Sequence, residues 1–455
     1  VKSIFKAAPA GWNRSRLRYC VTGVKNGAWG SEPGGDERDI ICVRVADFDW
    51  DHLQVKLDVP TMRSFPEVQF QKLRLRRGDI LLEKSGGGEK TPVGRVVRFD
   101  HDEEAVTSNF VARVRPSTLI HSEYLIYVLA AFYQSRFAHQ FIKQNTGIQN
   151  LDDNALFSNE LWLPSRDTQK MIVDFLDRET ARIDELIGKR EQFLNLIEEK
   201  KAALSVRAIN GSLLGTDTAG MEGWFGKLPK GWIVRRAKFL FRERPDRSEA
   251  GNEELLSVSH ITGVTRRSDK DVNMFLAESM EDYKLVSRGD VVINTMWAWM
   301  GAMGVSPVDG LISPSYGVYA QISGAFESEY LDLLLRSRPF VAEVNRRSKG
   351  VWSSRLRLYP DAFLDIRFPV PTKEIQRSIL EELSAATRRE DEIASISRQS
   401  LERLREFRSG LITAAVTGAI DVQSWATRGK TEERHAALEA DLSIPDATKR
   451  TEARA

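Results

Sequence analysis

Two loops in each half of the chain carry side chains suited to nucleic acid. Lys84-Ser-Gly-Gly-Gly-Glu-Lys-Thr91 runs from a β-like segment into glycines, whose backbone approaches a phosphate closely, and Lys84, Ser85, Lys90 and Thr91 are its polar members. The Gly-Lys-Ser/Thr ending of a nucleotide-triphosphate loop is missing. Gln144-Asn-Thr-Gly-Ile-Gln-Asn150 offers amides from Gln144, Asn145 and Gln149, with Thr146 beside them. A side-chain amide matches the N6/N7 edge of adenine in bidentate fashion. In the second half, Asn294-Thr-Met-Trp-Ala-Trp-Met-Gly301 parallels the Lys84 loop: Asn294 and Thr295 bring hydrogen bonds, and Trp297 and Trp299 bring surfaces for stacking or for thymine methyl groups. The competing reading is that the two tryptophans complete a core. Ser348-Lys-Gly-Val-Trp-Ser-Ser-Arg355 parallels the Gln144 loop, and Lys349, Trp352, Arg355 and the neighbouring Arg357 are its candidates.

Charge supports the same places. Residues 62–98 hold nine basic and four acidic residues, and residues 336–357 hold seven basic and one acidic. Over the whole chain, 66 basic against 64 acidic residues leave only +2, which excludes a uniformly basic coat but permits local patches. Reactive constellations are absent from the pattern. The six histidines are scattered without metal-ligand spacing, no Pro-Pro pair exists for a methyltransferase motif, and Asp152 with Asp153 sits where a helix start needs a cap. A nuclease built from dispersed acidic ligands remains the alternative reading, and a coiled-coil scaffold is a third.

These loops need elements to hold them, and the chain writes those elements twice. LPSRDTQ (Leu163–Gln169) returns as VPTKEIQ (Val370–Gln376) and AINGSL (Ala208–Leu213) as AVTGAI (Ala415–Ile420), both 207 positions later. RRGDILL at Arg76 returns as SRGDVVI at Ser287, and SEYL at Ser122 returns at Ser328. Each half mixes short β-like runs (IICVRV, DILLEK, RVVRF, FVARVRP; then DVVINT, YGVYAQI) with helical stretches, EYLIYVLAAFYQSRF and EYLDLLLRSRPFVAEV. The fold class is therefore α+β (mixed α/β), in two tandem globular domains each followed by a long helix. With 42% hydrophobic residues, mean hydropathy −0.35 and 455 residues, several folded domains are expected. Cys20 and Cys42, the only cysteines, exclude a disulfide framework and read as core residues. No apolar run reaches the roughly 18 residues of a membrane helix and the start lacks signal-peptide order, so no membrane partner and a cytoplasmic location are expected.

After Pro164, apolar residues recur at helical spacing to Ala208, predicting a helix of roughly 40 residues, or about 60 Å. Ile172, Leu176, Leu186, Leu194, Ile197 and Leu204 map at the same offset onto Ile379, Leu383, Ile393, Leu401, Leu404 and Leu411. Two matched narrow stripes predict an antiparallel coiled coil within the chain. Gly211 and Gly418 stand where helix-ending glycines belong. The boundaries read as 1–163 for the first domain, 164–212 for its helix, 213–231 for a linker, 232–370 for the second domain and 371–423 for its helix. The charged tail, 424–455, is expected to be disordered.

This layout, with GKLPKGW (Gly226–Trp232), the paired RGD-[IV]-[LV] strands, VPTKEIQRSIL at Val370 and LREFRSGLITAAVTGAID at Leu404, resembles the specificity subunit of type I restriction-modification systems over about residues 1–423. APAGW (Ala8–Trp12) is a shorter and poorer copy of the LPKGW segment. The resemblance implies two target-recognition domains, each reading half of a split site on double-stranded DNA, held apart by the two helices. It implies a non-catalytic chain that docks two methyltransferase subunits and the restriction/translocase subunits. S-adenosylmethionine, ATP and Mg2+ would then belong to those partners, leaving no cofactor on this chain.

Overall fold

A computed structural model describes residues 4–5, 8–88, 91–144, 147–217, 220–270, 279–322, 324–350 and 356–422. The tail expected at 424–455 lies outside them. Among the described residues the chain forms two compact units, one running to Glu191 and resuming at Ser397, the other spanning Gln192–Ile396. Neither unit is one continuous stretch of domain plus helix, because each long helix is shared between the two.

In the first unit, strands Val21–Asn26, Val111–Pro116, Ile80–Glu83 and Val96–Arg98 lie side by side, all antiparallel. Helix Ser122–Gln134 is buried along nearly its whole length, and Leu125, Val128 and Phe132 pack with Ile80, Leu82, Val96 and Val114 from the sheet. A separate small sheet sets Asp39–Val43 between Ala105–Thr107 and Met62–Ser64. Cys20 and Cys42 are buried, and loss of water pushes both thiols up to about 11, as unreactive core residues.

The second unit repeats the main sheet strand for strand: Phe241–Glu243, Gly317–Gln321, Val291–Ile293 and Met303–Val305. The stretch read as one helix, EYLDLLLRSRPFVAEV, is two helices, Ser328–Arg336 and Arg338–Arg347. Pro339 is the cause. Its ring and missing N–H cannot sit mid-helix, but they are tolerated in a first turn, so Ser337 turns extended and caps a new helix. In each unit a two-stranded ribbon joins the start of the domain to its end, Asn13–Arg16 with Glu160–Leu163 and Ile233–Arg236 with Arg367–Val370.

The long helices run Arg166–Ile209 and Lys373–Val416, 44 residues each. Both begin on a buried glutamine. Gln169 donates to the carbonyls of Leu119 and Pro164 and accepts from His121 N, while Gln376 donates to Ala325 and Pro371 and accepts from Glu327 N. Three hydrogen bonds per amide lock each helix start to its domain, which is why glutamine stands at both positions.

Within each unit a piece of the first helix pairs with a piece of the second. In the first unit Asp184 meets Arg408 and Glu191 meets Arg405, so advancing along one helix means retreating along the other, the antiparallel order. In the second unit Lys201 meets Asp391 and Lys200 meets Glu390. The offset of 207 turns Asp184 into Asp391 and Arg408 into Lys201, so one ion pair is built twice with its donor helix exchanged. One stripe position breaks the match: buried Ile183 corresponds to Glu390, which is kept at the interface by Lys200.

Both helices stop on a left-handed glycine, Gly211 at φ 78° and Gly418 at φ 68°. A Cβ on Gly211 would lie 2.8 Å from Pro229 Cγ, with Trp232 next to it, and one on Gly418 would lie 2.5 Å from Pro9 Cγ, with Trp12 next to it. APAGW therefore does the packing job of LPKGW despite its poorer spelling. It receives the end of the second long helix as LPKGW receives the end of the first.

Candidate nucleic-acid interface

Each Arg-Gly-Asp segment is a strand start, and its aspartate is structural. Asp79 Oδ2 accepts from Arg76 N at 2.8 Å and Asp290 Oδ2 from Ser287 N at 2.7 Å. Both carboxylates are buried and take a guanidinium through two oxygens, Arg115 for Asp79 and Arg244 for Asp290. The carboxylates hold both arginines above their ordinary pKa.

The strands these turns launch end in the candidate loops. In both domains the structure brings the two candidate loops together by the same backbone bond. Leu151 N donates to Lys84 O at 2.8 Å, and Leu358 N donates to Thr295 O at 3.0 Å. In the first domain Ser85–Gly86 extends this contact by pairing with Gln149–Leu151, itself paired with Ile142–Gln144. In the second, Lys349 bridges Arg357.

Individual side chains divide sharply. Lys84 Nζ sits 3.0 Å from Asn26 Oδ1 and 3.2 Å from Asp153 Oδ1, so its charge is answered inside the domain. Ser85 Oγ donates to Asn150 Oδ1 at 2.6 Å. Gln149 is buried, and its Oε1 accepts from Val93 N at 3.2 Å, which makes it a brace rather than a surface amide. Thr91 and Gln144 are exposed. Asn294 is buried, donating to Tyr316 Oη at 2.9 Å, and Thr295 Oγ1 donates to Ser315 O at 2.9 Å. Lys349 and Arg357 are exposed. Lys90, Asn145, Thr146, Trp352 and Arg355 lie outside the described residues. Asp152 caps helix Asp153–Phe157 by accepting from Ala155 N, the capping role its position suggested.

The tryptophans do not complete a core. Trp297 is 51% exposed, with Met296 and Met300 also exposed around it. Trp299 is half-buried, its ring 6.3 Å from that of Trp297 at 16°. Trp299 Nε1 donates to Met296 O, which fixes the turn that presents Trp297 outward.

The charge runs prove weaker than their counts. In residues 62–98, Arg63 is buried against Glu32, Arg74 meets Glu104, Arg77 meets Asp100 and Arg98 meets Glu123. Arg95 lies over the rings of Trp50 and Tyr133. In residues 336–357, Arg336 pairs with Asp332, and Arg346 and Arg347 converge on Glu343, which they hold below the usual carboxylate range although burial works against them. Sequence windows missed these acids because most lie outside the window counted.

Among the described residues no three His, Cys, Asp or Glu side chains converge as a metal site, and no helix is long and apolar enough to cross a membrane. Sequence reading also missed Glu83, the last residue of strand Ile80–Glu83. It is 5% exposed, and burial pushes its carboxyl up to about 7 although the charge of Arg95 pulls it down. In the sequence it looks like the polar end of an apolar run, and nothing there signals that the strand end is covered.

Residues 61–196 match the family model described as type I restriction modification DNA specificity domain. Among solved structures, the chain is similar to one reported for complex assembly and conformational transition of the type I R-M system. The identity is 14%, 91% of this chain and 100% of that one are covered, and the TM-score is 0.58. The HsdS subunit from Thermoanaerobacter tengcongensis aligns at 15% identity over 91% of this chain and 98% of that one, with a TM-score of 0.43. No curated protein matches.

Proposed function

We propose, from the premise that the chain belongs to the specificity subunits of type I restriction-modification systems, that each of its two domains reads one half of a split DNA site. The observation that carries this reading is the repeated joining of two polar loops at one strand end, by Leu151 N to Lys84 O and by Leu358 N to Thr295 O. Two loops braced on a rigid sheet can hold several side chains against base edges at fixed spacing, which direct readout requires. In the first domain Thr91, Gln144 and the outer face of the hairpin are the reading candidates, with Lys90, Asn145 and Thr146 in the same loops. In the second, Trp297, Lys349 and Arg357 present surface, charge and hydrogen bonds, with Trp352 and Arg355 beside them.

The chain itself performs no chemistry in this reading. It recruits two methyltransferase subunits and, through them, restriction/translocase subunits in the cytoplasm. S-adenosylmethionine, ATP and Mg2+ sit on those partners. The paired long helices, with their matched stripes, set the gap between half-sites.

A genome-wide map of adenine methylation, with and without this chain, tests the function. The expected result is a split motif of two half-sites at fixed gap that vanishes on deletion. An unchanged map, together with no sequence preference in DNA binding by the purified assembly, overturns it.

A further inference from the structure

The strand that leads into the first domain's Lys84 loop ends on a carboxylate that the domain itself does not satisfy. Glu83 is opposite Val111 in the sheet register, and the methyls of Val111 cannot donate a hydrogen bond. Its Oε2 is sealed from solvent and has no hydrogen-bond partner among the described residues. Burying a carboxylate in this way is costly and persists only where something else needs it. The second domain resolves the same position differently. Asn294 stands where Glu83 stands, and Tyr316, which precedes strand Gly317–Gln321, brings a hydroxyl to it.

Beside Glu83 opens a cavity of about 570 Å3. Its walls include Ser85 from the loop, Arg44 and Asn109, and two aromatic rings, Trp29 and Phe110, which are 41% and 42% exposed. The Arg63 guanidinium lies 4.7 Å over the Trp29 ring and fixes it. The volume falls within the roughly 300–1,000 Å3 range of sites that enclose small molecules. Apolar rings at the mouth, one unsatisfied acceptor within and a candidate reading loop as one wall are the ingredients of a base pocket.

We infer that this cavity takes one unstacked base bearing an exocyclic amino group, cytosine or adenine, from the half-site read by the first domain, with Glu83 accepting a hydrogen bond from that amino group. The inference rests on the proposed function. A carboxylate accepts from an amino group and rejects the carbonyl that guanine or thymine presents in its place. Glu83 is thus a specificity-determining residue rather than a catalytic one. Trp29 and Phe110 supply faces for the base to stack against, compensating the stacking it gives up in the duplex.

The test uses the full chain assembled with its methyltransferase subunits and DNA in which each base pair of both half-sites is replaced in turn. Glu83→Gln is expected to lose about ten- to a hundredfold of discrimination at one position of the first half-site and none at the second. Phe110→Ala, at the exposed rim, is expected to weaken binding several-fold through that same position, and it decides the matter should Glu83→Gln fail to fold. A fluorescent base analogue at that position should brighten on binding to the wild type and less on binding to Phe110→Ala. Wild-type discrimination by both variants, or a base that stays stacked, overturns the inference and leaves the proposed function standing. Absence of any sequence preference in the wild type overturns the function itself.

Discussion

At the end of the same strand, one domain pairs Asn294 with Tyr316, while the other leaves Glu83 facing Val111 beside an open cavity. The frame around them is duplicated closely: the aspartate–arginine clasp at the strand start, the glutamine at the helix start, the leucine N–H that ties the second loop to the first. Duplication kept the parts that hold the loops and let the contents of the loops diverge. A domain can change what it touches without losing stability only if the load is carried elsewhere.

The frame should give the largest effects, and they should be equal in the two domains. Asp79→Ala and Asp290→Ala each remove a buried carboxylate that serves a backbone N–H and a guanidinium. Each is expected to cost about 3 kcal/mol in chemical denaturation, as breaking a buried pair does. A loss in one domain only would mean that the clasps are not equivalent.

The Glu83 position should behave oppositely to the frame. A carboxyl raised from 4.5 to about 7 binds its proton more tightly folded than unfolded, so stability falls as pH rises through that window. Glu83→Gln should therefore stabilise the protein at pH 8, by up to about 3 kcal/mol at about 1.4 kcal/mol per pH unit, and change little at pH 4.5. Equal denaturation midpoints of variant and wild type at pH 8 would remove the idea that this carboxylate is retained against a cost.

A smaller contrast lies under the sheets. Tyr124 and its repeat Tyr330 are both fully buried, but Tyr124 Oη donates to Val416 O at 3.1 Å, whereas Tyr330 Oη has no partner among the described residues. Tyr124→Phe should cost about 1 kcal/mol, and Tyr330→Phe should cost nothing or stabilise, because it removes a hydroxyl that went unsatisfied. Denaturation curves of the two variants read the difference directly.

Smallest is the contrast between lysines. Lys84 is answered by Asp153 and Asn26, and Lys349 is exposed. Lys349→Ala should lower the slope of log affinity against log salt by about 0.9, the share of one phosphate contact. Lys84→Ala should leave that slope unchanged. The reverse pattern would move the phosphate contact to the first domain's loop.

Much of this was legible in the sequence because it depends on periodicity and repetition. A stripe of apolar residues at helical spacing buries one way whatever surrounds it, so both long helices were readable, as was their antiparallel partnership from two matched stripes. Repeated words located the two domains, the paired strands and the four loops. Proline at 339 was equally visible in the sequence, yet its consequence, a second helix begun at Ser337, depends on whether the following turn has a core to cover. Here Phe340 and Val344 provide that core contact.

What the sequence by itself determined is the doubled plan: an α+β domain and a long helix, written twice, with polar loops at corresponding strand ends. Tertiary structure alone decided which charges survive at the surface, because Lys84 finds Asp153 and Arg98 finds Glu123 only after the chain folds back on itself. It also decided that the last helix ends on the first domain, where Gly418 packs against Pro9 and Trp12, a closure between residues some four hundred positions apart. The unpaired carboxyl of Glu83 belongs with these. An orphaned acceptor is defined by the absence of a neighbour, and neighbours across a sheet are fixed by register and not by sequence order.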